Sequence, residues 1–117
     1  MSVSHIFAGI PVADLQAGVN WYERVFGKPP DMSPNDQEAV WHMTASASVY
    51  VVRDPGRAGK ALLTVAVSDL EQLIAQLADR GLPDRAIQRT TGPPPTVIVT
   101  DAEGNQVTFF EDPAAAR

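Results

Sequence analysis

The chain repeats one short phrase, and this repeat constrains its fold more than any other feature. Residues 10–15 read IPVADL and residues 65–70 read VAVSDL, so the two copies are 55 positions apart. Each phrase ends a short apolar run and precedes a segment with the apolar spacing of an amphipathic helix. Because the order of elements recurs along with the letters, the sequence predicts two copies of one supersecondary unit.

The first copy contains a helix with recognisable ends. Asp14 is a suitable N-cap, and the helix is predicted to stop near Phe26 because Gly27 can adopt the backbone conformation that ends a helix. Short apolar, alternating or β-branched runs predict the strands. The predicted strands of this copy are residues 5–12, 38–43 and 47–52.

The second copy follows the same order, with Asp69 as the N-cap of its helix and Gly81 at the end. Its predicted strands are residues 61–67, 86–90, 96–100 and 106–110. The fold class is therefore α+β, with two tandem βαβββ modules. We expect a single domain over residues 1–117, with module 1 at about 3–53, a polar linker at 54–60 and module 2 at about 61–112. The final AAAR is predicted to be a frayed tail.

Length and composition limit the classes of function. A chain of 117 residues suits one domain with one core, and 44% hydrophobic with 20% charged residues is typical of a soluble globular protein. A net charge of −5 with nine scattered basic residues argues against nucleic-acid binding. The lack of cysteine excludes thiolate catalysis and Cys-based metal sites. No signal-like or membrane-spanning segment is apparent, so we expect a cytoplasmic protein without a membrane partner.

Strand alternation predicts which residues face the helices. One small helix can cover only one face of a sheet, so the other face must line a concavity or meet another apolar surface. The predicted helix side of the first strand comprises Ile6, Ala8, Ile10 and Val12. The predicted concave side comprises His5, Phe7, Gly9 and Pro11 in the first strand, and Leu62, Thr64 and Ala66 in the fifth.

Several short motifs carry a family resemblance. They are Val12-Ala13-Asp14-Leu15 before the first helix, Trp21-Tyr22 and Val25-Phe26-Gly27 within and after it, and the ending VTDAEGNQVTFFE at 99–111. In this order they resemble the glyoxalase/bleomycin resistance protein/dioxygenase group, also called the vicinal oxygen chelate superfamily. The resemblance covers nearly the whole chain. It implies paired βαβββ modules that form an open barrel-like cup, usually in a homodimer.

The resemblance also implies where a metal would be held. Counted from these motifs, the four ligand positions of metal-dependent members fall on Phe7, Tyr50, Leu62 and Thr108. None of these residues supplies the carboxylate or imidazole group that divalent cations require, and a lone Thr does not hold one. We therefore expect no metal and no other cofactor.

The two histidines keep an alternative open. A displaced metal site could combine His5 and His42 with Glu38 or Glu111. His42 could also act as a general base in a reaction without a cofactor, because imidazole titrates near neutral pH. The sequence identifies no partner that would orient it.

The remaining cup positions are apolar and aromatic. The candidate ligand-binding residues are Phe7, Trp41, His42, Tyr50, Leu62, Thr108 and Phe110, with either Trp41 or His42 facing inward according to the register of the third strand. Such walls suit a flat or amphipathic organic molecule.

Three functions are compatible with such a cup. The leading hypothesis, implied by the resemblance, is metal-independent sequestration of a small aromatic molecule such as a bleomycin-type antibiotic. The alternative is a small lyase, isomerase or dioxygenase-like enzyme with displaced or no metal ligands. A third possibility is a domain whose own side chains fill the cup and which acts through protein contacts. A non-enzymatic binding protein is favoured, and whether any reaction is catalysed stays open.

Overall fold

The computed structural model describes residues 1–114, so residues 115–117 of the predicted AAAR tail lie outside the described part of the chain. The elements are β1 (Ile6–Val12), α1 (Leu15–Phe26), β2 (Met32–Asn35), β3 (Glu38–Thr44), β4 (Ala47–Arg53), β5 (Leu62–Val67), α2 (Leu70–Asp79), β6 (Ile87–Thr90), β7 (Thr96–Thr100) and β8 (Gln106–Glu111), with a single 3₁₀ turn at Asp84–Ala86. Within residues 1–114, neither helix is long and apolar enough to cross a membrane.

The strands form two separate four-stranded sheets that stay open. Their orders are β1-β4-β3-β2 and β5-β8-β7-β6. The first and last strands of each unit are parallel neighbours, and the remaining pairs are antiparallel. The predicted α+β class with two tandem βαβββ modules is confirmed. The first sheet ends at Arg53 and the second begins at Leu62, and the linker at 54–60 stays a prediction.

The two modules share the same parallel pairing of first and last strands. Gly9 of β1 pairs with Tyr50 of β4, and Thr64 of β5 pairs with Thr108 of β8. Gly9 and Thr64 are 55 positions apart, whereas their partners Tyr50 and Thr108 are 58 apart, so module 2 has three more residues between its two parallel strands.

The helix ends are built by the predicted residues. The Asp14 carboxylate accepts a hydrogen bond from the backbone N–H of Ala17 at 3.1 Å, and Asp69 accepts one from that of Gln72 at 3.0 Å. Gly27 ends α1 with a φ of 78°, a left-handed conformation that glycine adopts without steric cost. The capping predictions are therefore confirmed.

One strand, β2, was not predicted from the sequence. β2 reads MSPN, all four of its residues are exposed, and its pairing with β3 is irregular between Met32 and Asn35. It has no apolar alternation, and Pro34 is tolerated because β2 lies at the edge of its sheet. Its pairing with β3, rather than a local pattern, makes it a strand.

A single core joins both modules on the helix side of the sheets. The predicted face assignment is confirmed at Ile10 and Val12, which are each 1% exposed. Ile6 departs from it: the side chain is 63% exposed and lies beside a cavity of about 310 Å³ between β1, β4 and β5. The fully buried core members from other elements include Tyr22, Val25, Val51, Leu77, Val97 and Val107.

A polar clamp joins the modules around the turn between β7 and β8. The hydroxyl of Tyr22 on α1 donates to Asp101 Oδ2 at 2.8 Å, and Asn105 Nδ2 donates to the carbonyl oxygen of Pro11 at 2.8 Å. The Glu103 carboxylate accepts from the backbone N–H of Ala13 at 2.7 Å. The DAEGN segment, which is part of the motif at 99–111, therefore holds module 2 against module 1.

The clamp makes stability sensitive to alkaline pH. Burial, together with the nearby Asp101 carboxylate, raises the pKa of Tyr22 well above its usual value. When folding raises the pKa of a group, the stability that this group contributes is fully present below its pKa in the unfolded state, which is roughly 10 for tyrosine. That stability is lost as the pH rises above this value. We expect the urea unfolding free energy to fall steeply above about pH 10 in the wild type, and less steeply in Tyr22→Phe.

The chain offers a matched control, because Tyr50 is its only other tyrosine. Tyr50→Phe keeps the buried phenol of Tyr22 and should keep the alkaline loss. At neutral pH, Tyr22→Phe should cost about 1–2 kcal/mol through the lost hydrogen bond. If the free energy of unfolding falls equally steeply with pH above about 10 in the wild type and in Tyr22→Phe, the Tyr22 phenol is not the group that makes stability sensitive to pH.

Candidate functional site

The face of each sheet that points away from the helices is here called the open face. In the first sheet, Phe7, Ser48 and His42 form one cross-strand row on this face, and Gly9, Tyr50 and Val40 form the next. In the second sheet the open face carries Leu62, Thr64, Ile98, Thr108 and Phe110.

The predicted apolar residues lie on this face and are accessible. Phe7 is 58% exposed and Leu62 is 83% exposed. Tyr50, Thr108 and Phe110 are half-buried on the same face. The first sheet therefore groups Phe7 with Tyr50 and His42, while Leu62, Thr108 and Phe110 share one face of the second sheet, with Leu62 and Phe110 toward opposite ends of the β5–β8 pair. Their role in ligand binding stays a prediction.

Trp41 lies on the opposite face, which corrects one of the two predicted alternatives. Its side chain is fully buried in the core, its Nε1 donates to the Lys28 carbonyl oxygen at 2.9 Å, and its ring meets the edge of Phe26 at 5.5 Å between centroids. The register of β3 against β4 places His42 opposite Ser48 and so on the open face. Trp41 has no access to this face.

Ser48 links the two histidines and was not predicted. Its hydroxyl oxygen lies 2.8 Å from His5 Nε2 and 2.9 Å from His42 Nδ1, and the serine is 1% exposed. A hydroxyl carries one proton, so it donates to one imidazole and accepts from the other. The His5 ring also contacts Phe7, with 4.6 Å between ring centroids. An ordered polar group thus borders the apolar part of the open face.

Gly9 shapes the face beside Tyr50. A Cβ atom at this position would lie 2.7 Å from the Tyr50 ring, which is closer than real Cβ contacts allow. The glycine therefore lets the tyrosine ring lie across β1. Tyr50 lines a shallow cavity of about 170 Å³ with Pro11, Val52 and Arg57 among its walls.

The side chains at the open face do not fit a divalent metal. Phe7, Tyr50, Leu62 and Thr108 occupy this face but offer no carboxylate or imidazole. Among residues 1–114, no group of three or more His, Cys, Asp or Glu side chains is placed to hold an ion. His5 and His42 both bond to Ser48, and neither Glu38 nor Glu111 joins them in such a group.

The fold and the open face together define a class: paired βαβββ modules that display an apolar and aromatic sheet surface. The chain matches the family profile of the Glyoxalase/Bleomycin resistance protein/Dioxygenase superfamily over residues 2–109, and it belongs to that superfamily. No curated protein matches the sequence significantly.

The names of solved structures with the same fold refer to different functions. A glyoxalase/bleomycin resistance protein from Catenulispora acidiphila DSM 44928 is 32% identical, with a TM-score of 0.87 over 93% of this chain and 98% of that one. A bleomycin-binding protein in complex with bleomycin is 13% identical, with a TM-score of 0.75 and coverage of 92% and 98%. A lactoylglutathione lyase from Agrobacterium tumefaciens is 15% identical, with a TM-score of 0.72 and coverage of 94% of both chains. At these low identities, the last two share the fold alone.

Proposed function

We propose that the protein binds a small aromatic or amphipathic molecule on its open face without a metal, and that it sequesters an antibiotic of the bleomycin type. The observation that carries this proposal is the exposure of Phe7, on the same sheet face as the Tyr50 ring, and of Leu62, on the same sheet face as Phe110. The fold shared with a bleomycin-binding protein supports this ligand class.

The energetics favour a flat ligand. Apolar surface removed from water contributes roughly 25 cal/mol per Å², and stacked aromatic rings add to this. Association costs several kcal/mol, so the ligand must cover more than one of the exposed side chains. A planar ring system of several fused or linked rings meets this requirement better than a small polar metabolite does.

We also propose that the active form is a homodimer, because Ile6, which lies outside the open face, is exposed on an edge strand that a second copy would cover. The cytoplasm as its location and the absence of nucleic-acid and membrane partners stay predictions.

One observation favours the enzyme alternative. Ser48 orients His42 and connects it to His5, so a proton taken from a substrate by His42 could be shared along this chain. Under that alternative the protein would be a metal-free isomerase or lyase. Mass spectrometry of a bound compound after incubation distinguishes the two functions, because sequestration returns the compound unchanged.

Binding should depend on Phe7. We expect titration calorimetry with a bleomycin-type glycopeptide, followed by a panel of neutral planar aromatics, to find at least one ligand. Phe7→Glu should weaken its binding at least tenfold, because the ligand would cover an unpaired carboxylate. The substitution should leave the fold intact, because Phe7 lies outside the core.

Gln76→Glu is the matched control. It adds the same charge at an exposed position on α2, away from the open face, and should leave affinity unchanged. Equal affinity in both variants, or no binding by any compound of the panel, would refute the proposed function. Unfolding of Phe7→Glu would contradict the assigned face.

A further inference from the structure

Trp21 carries an unsatisfied hydrogen-bond donor away from the open face. Its Nε1 is buried and, in the part of the chain that the structure describes, is the only buried side-chain nitrogen or oxygen without a partner. The other tryptophan, Trp41, donates to a backbone carbonyl. Leaving such a donor unpaired costs about 1–3 kcal/mol, and buried polar groups usually meet a protein group, a water or a ligand.

Two neighbouring cavities meet at this side chain. Their volumes are about 270 and 290 Å³, and both are lined by Trp21, Asp101 and Ala102. The first extends to Arg85, and the second extends along α1 to Arg24. They lie at the seam between the modules, and junctions between structural units are common places for ligand sites.

The acidic groups at the seam are already occupied by the chain's own donors. Asp101 Oδ1 accepts from the backbone N–H groups of Glu103, Gly104 and Asn105, and its Oδ2 accepts from Tyr22 and Asn105. The two Glu103 carboxylate oxygens accept from the backbone of module 1. These carboxylates have little capacity left to attract a cation.

The basic groups at the seam are available. The Arg24 guanidinium lies 5.1 Å from the centre of the Trp21 ring, and Arg85 is exposed at the other end. Over residues 1–114, neither side chain forms a hydrogen bond or an ion pair with a carboxylate. Unpaired guanidinium groups beside an unpaired indole N–H favour a ligand that carries an anionic acceptor.

We propose that the seam is a second binding site, for a small planar aromatic carboxylate. The ring would pack beside Trp21, the carboxylate would pair with Arg85, and a rotation of the indole would bring its buried Nε1–H to the carboxylate. This site is separate from the open face, so it does not depend on the function proposed above.

Trp21 and Trp41 make the proposal testable because they are the only two tryptophans in the chain. In ¹⁵N-labelled protein titrated with 1-naphthoate, we expect the Trp21 indole N–H resonance to shift and saturate while that of Trp41 stays in place. The neutral analogue 1-naphthalenemethanol should bind at least tenfold more weakly. Trp21→Phe should weaken naphthoate binding by a similar factor, as measured by calorimetry.

Two further variants isolate the site. Arg85→Gln changes an exposed side chain, so the variant should fold, and it should weaken naphthoate binding about three- to tenfold and reduce its salt dependence. Phe7→Glu should leave naphthoate binding at the seam unchanged, which separates this site from the open face. An unmoved Trp21 resonance at millimolar naphthoate, or equal binding of the neutral analogue, would overturn the proposal and leave water as the occupant.

Discussion

Asp101→Ala is expected to lower the free energy of unfolding by about 3–5 kcal/mol, because it removes a buried carboxylate on which several donors converge. Asp101 is 8% exposed and accepts hydrogen bonds from three backbone N–H groups, the Tyr22 hydroxyl and the Asn105 amide. Alanine leaves these donors without their acceptor and loosens the turn that holds the modules together. Urea unfolding followed by tryptophan fluorescence measures the loss.

Asp36→Ala is the comparison, since Asp36 is an exposed aspartate in a turn of module 1. Its removal should change stability by less than about 0.5 kcal/mol, as for most surface substitutions. If Asp101→Ala also costs less than about 1 kcal/mol, the clamp does not contribute to stability in the way its geometry implies.

The fold was predictable where the determining signals are local. Asp14 and Asp69 identified the starts of both helices, and Gly27 identified an end, because capping depends on residues a few positions apart. The 55-residue repeat then supplied the module order. β2 was not predictable in this way, since its exposed MSPN segment becomes a strand only through pairing with β3.

The site was predictable only in part, for a related reason. Alternation along one strand placed Phe7 and Leu62 on the open face without knowledge of their neighbours. The choice between Trp41 and His42 required the register of β3 against β4, because a shift of one residue would move each side chain to the other face of the sheet. β3 and β4 form an antiparallel hairpin in which His42 pairs with Ser48. If this pairing had been predicted from the sequence, Ser48 could have been found as a partner of His42.

The seam between the modules had no signal in the sequence. Tyr22 and Asp101 are 79 positions apart, and Asn105 and Pro11 are 94 apart. Contacts of this kind follow from how the two modules pack, which the pattern within each module does not determine. The unpaired indole of Trp21 is a product of the same packing, and the sequence had indicated only that Trp21 lies on a helix.

Ile6→Glu is expected to weaken self-association at least 100-fold, converting a dimer into a monomer at tens of micromolar. β1 and β5 are edge strands of their sheets, and β1 carries Ile6 with 63% of its surface exposed. The cavity beside Ile6 is also lined by residues of β5, so the two edges are neighbours. A two-fold dimer over this surface would bury two new carboxylates, one from each chain, at a cost of several kcal/mol. Light scattering measures the mass directly.

Ile6 is the informative position because it lies outside the open face, so a change in association is not a change in the proposed ligand contacts. Gln76→Glu alters the net charge equally on an exposed helix surface and should remain dimeric. Wild-type protein with the mass of one chain at tens of micromolar would contradict the dimer outright. A dimeric wild type that Ile6→Glu leaves intact would show that the copies associate through another surface, and the exposed β1 and β5 edges would then need a different explanation.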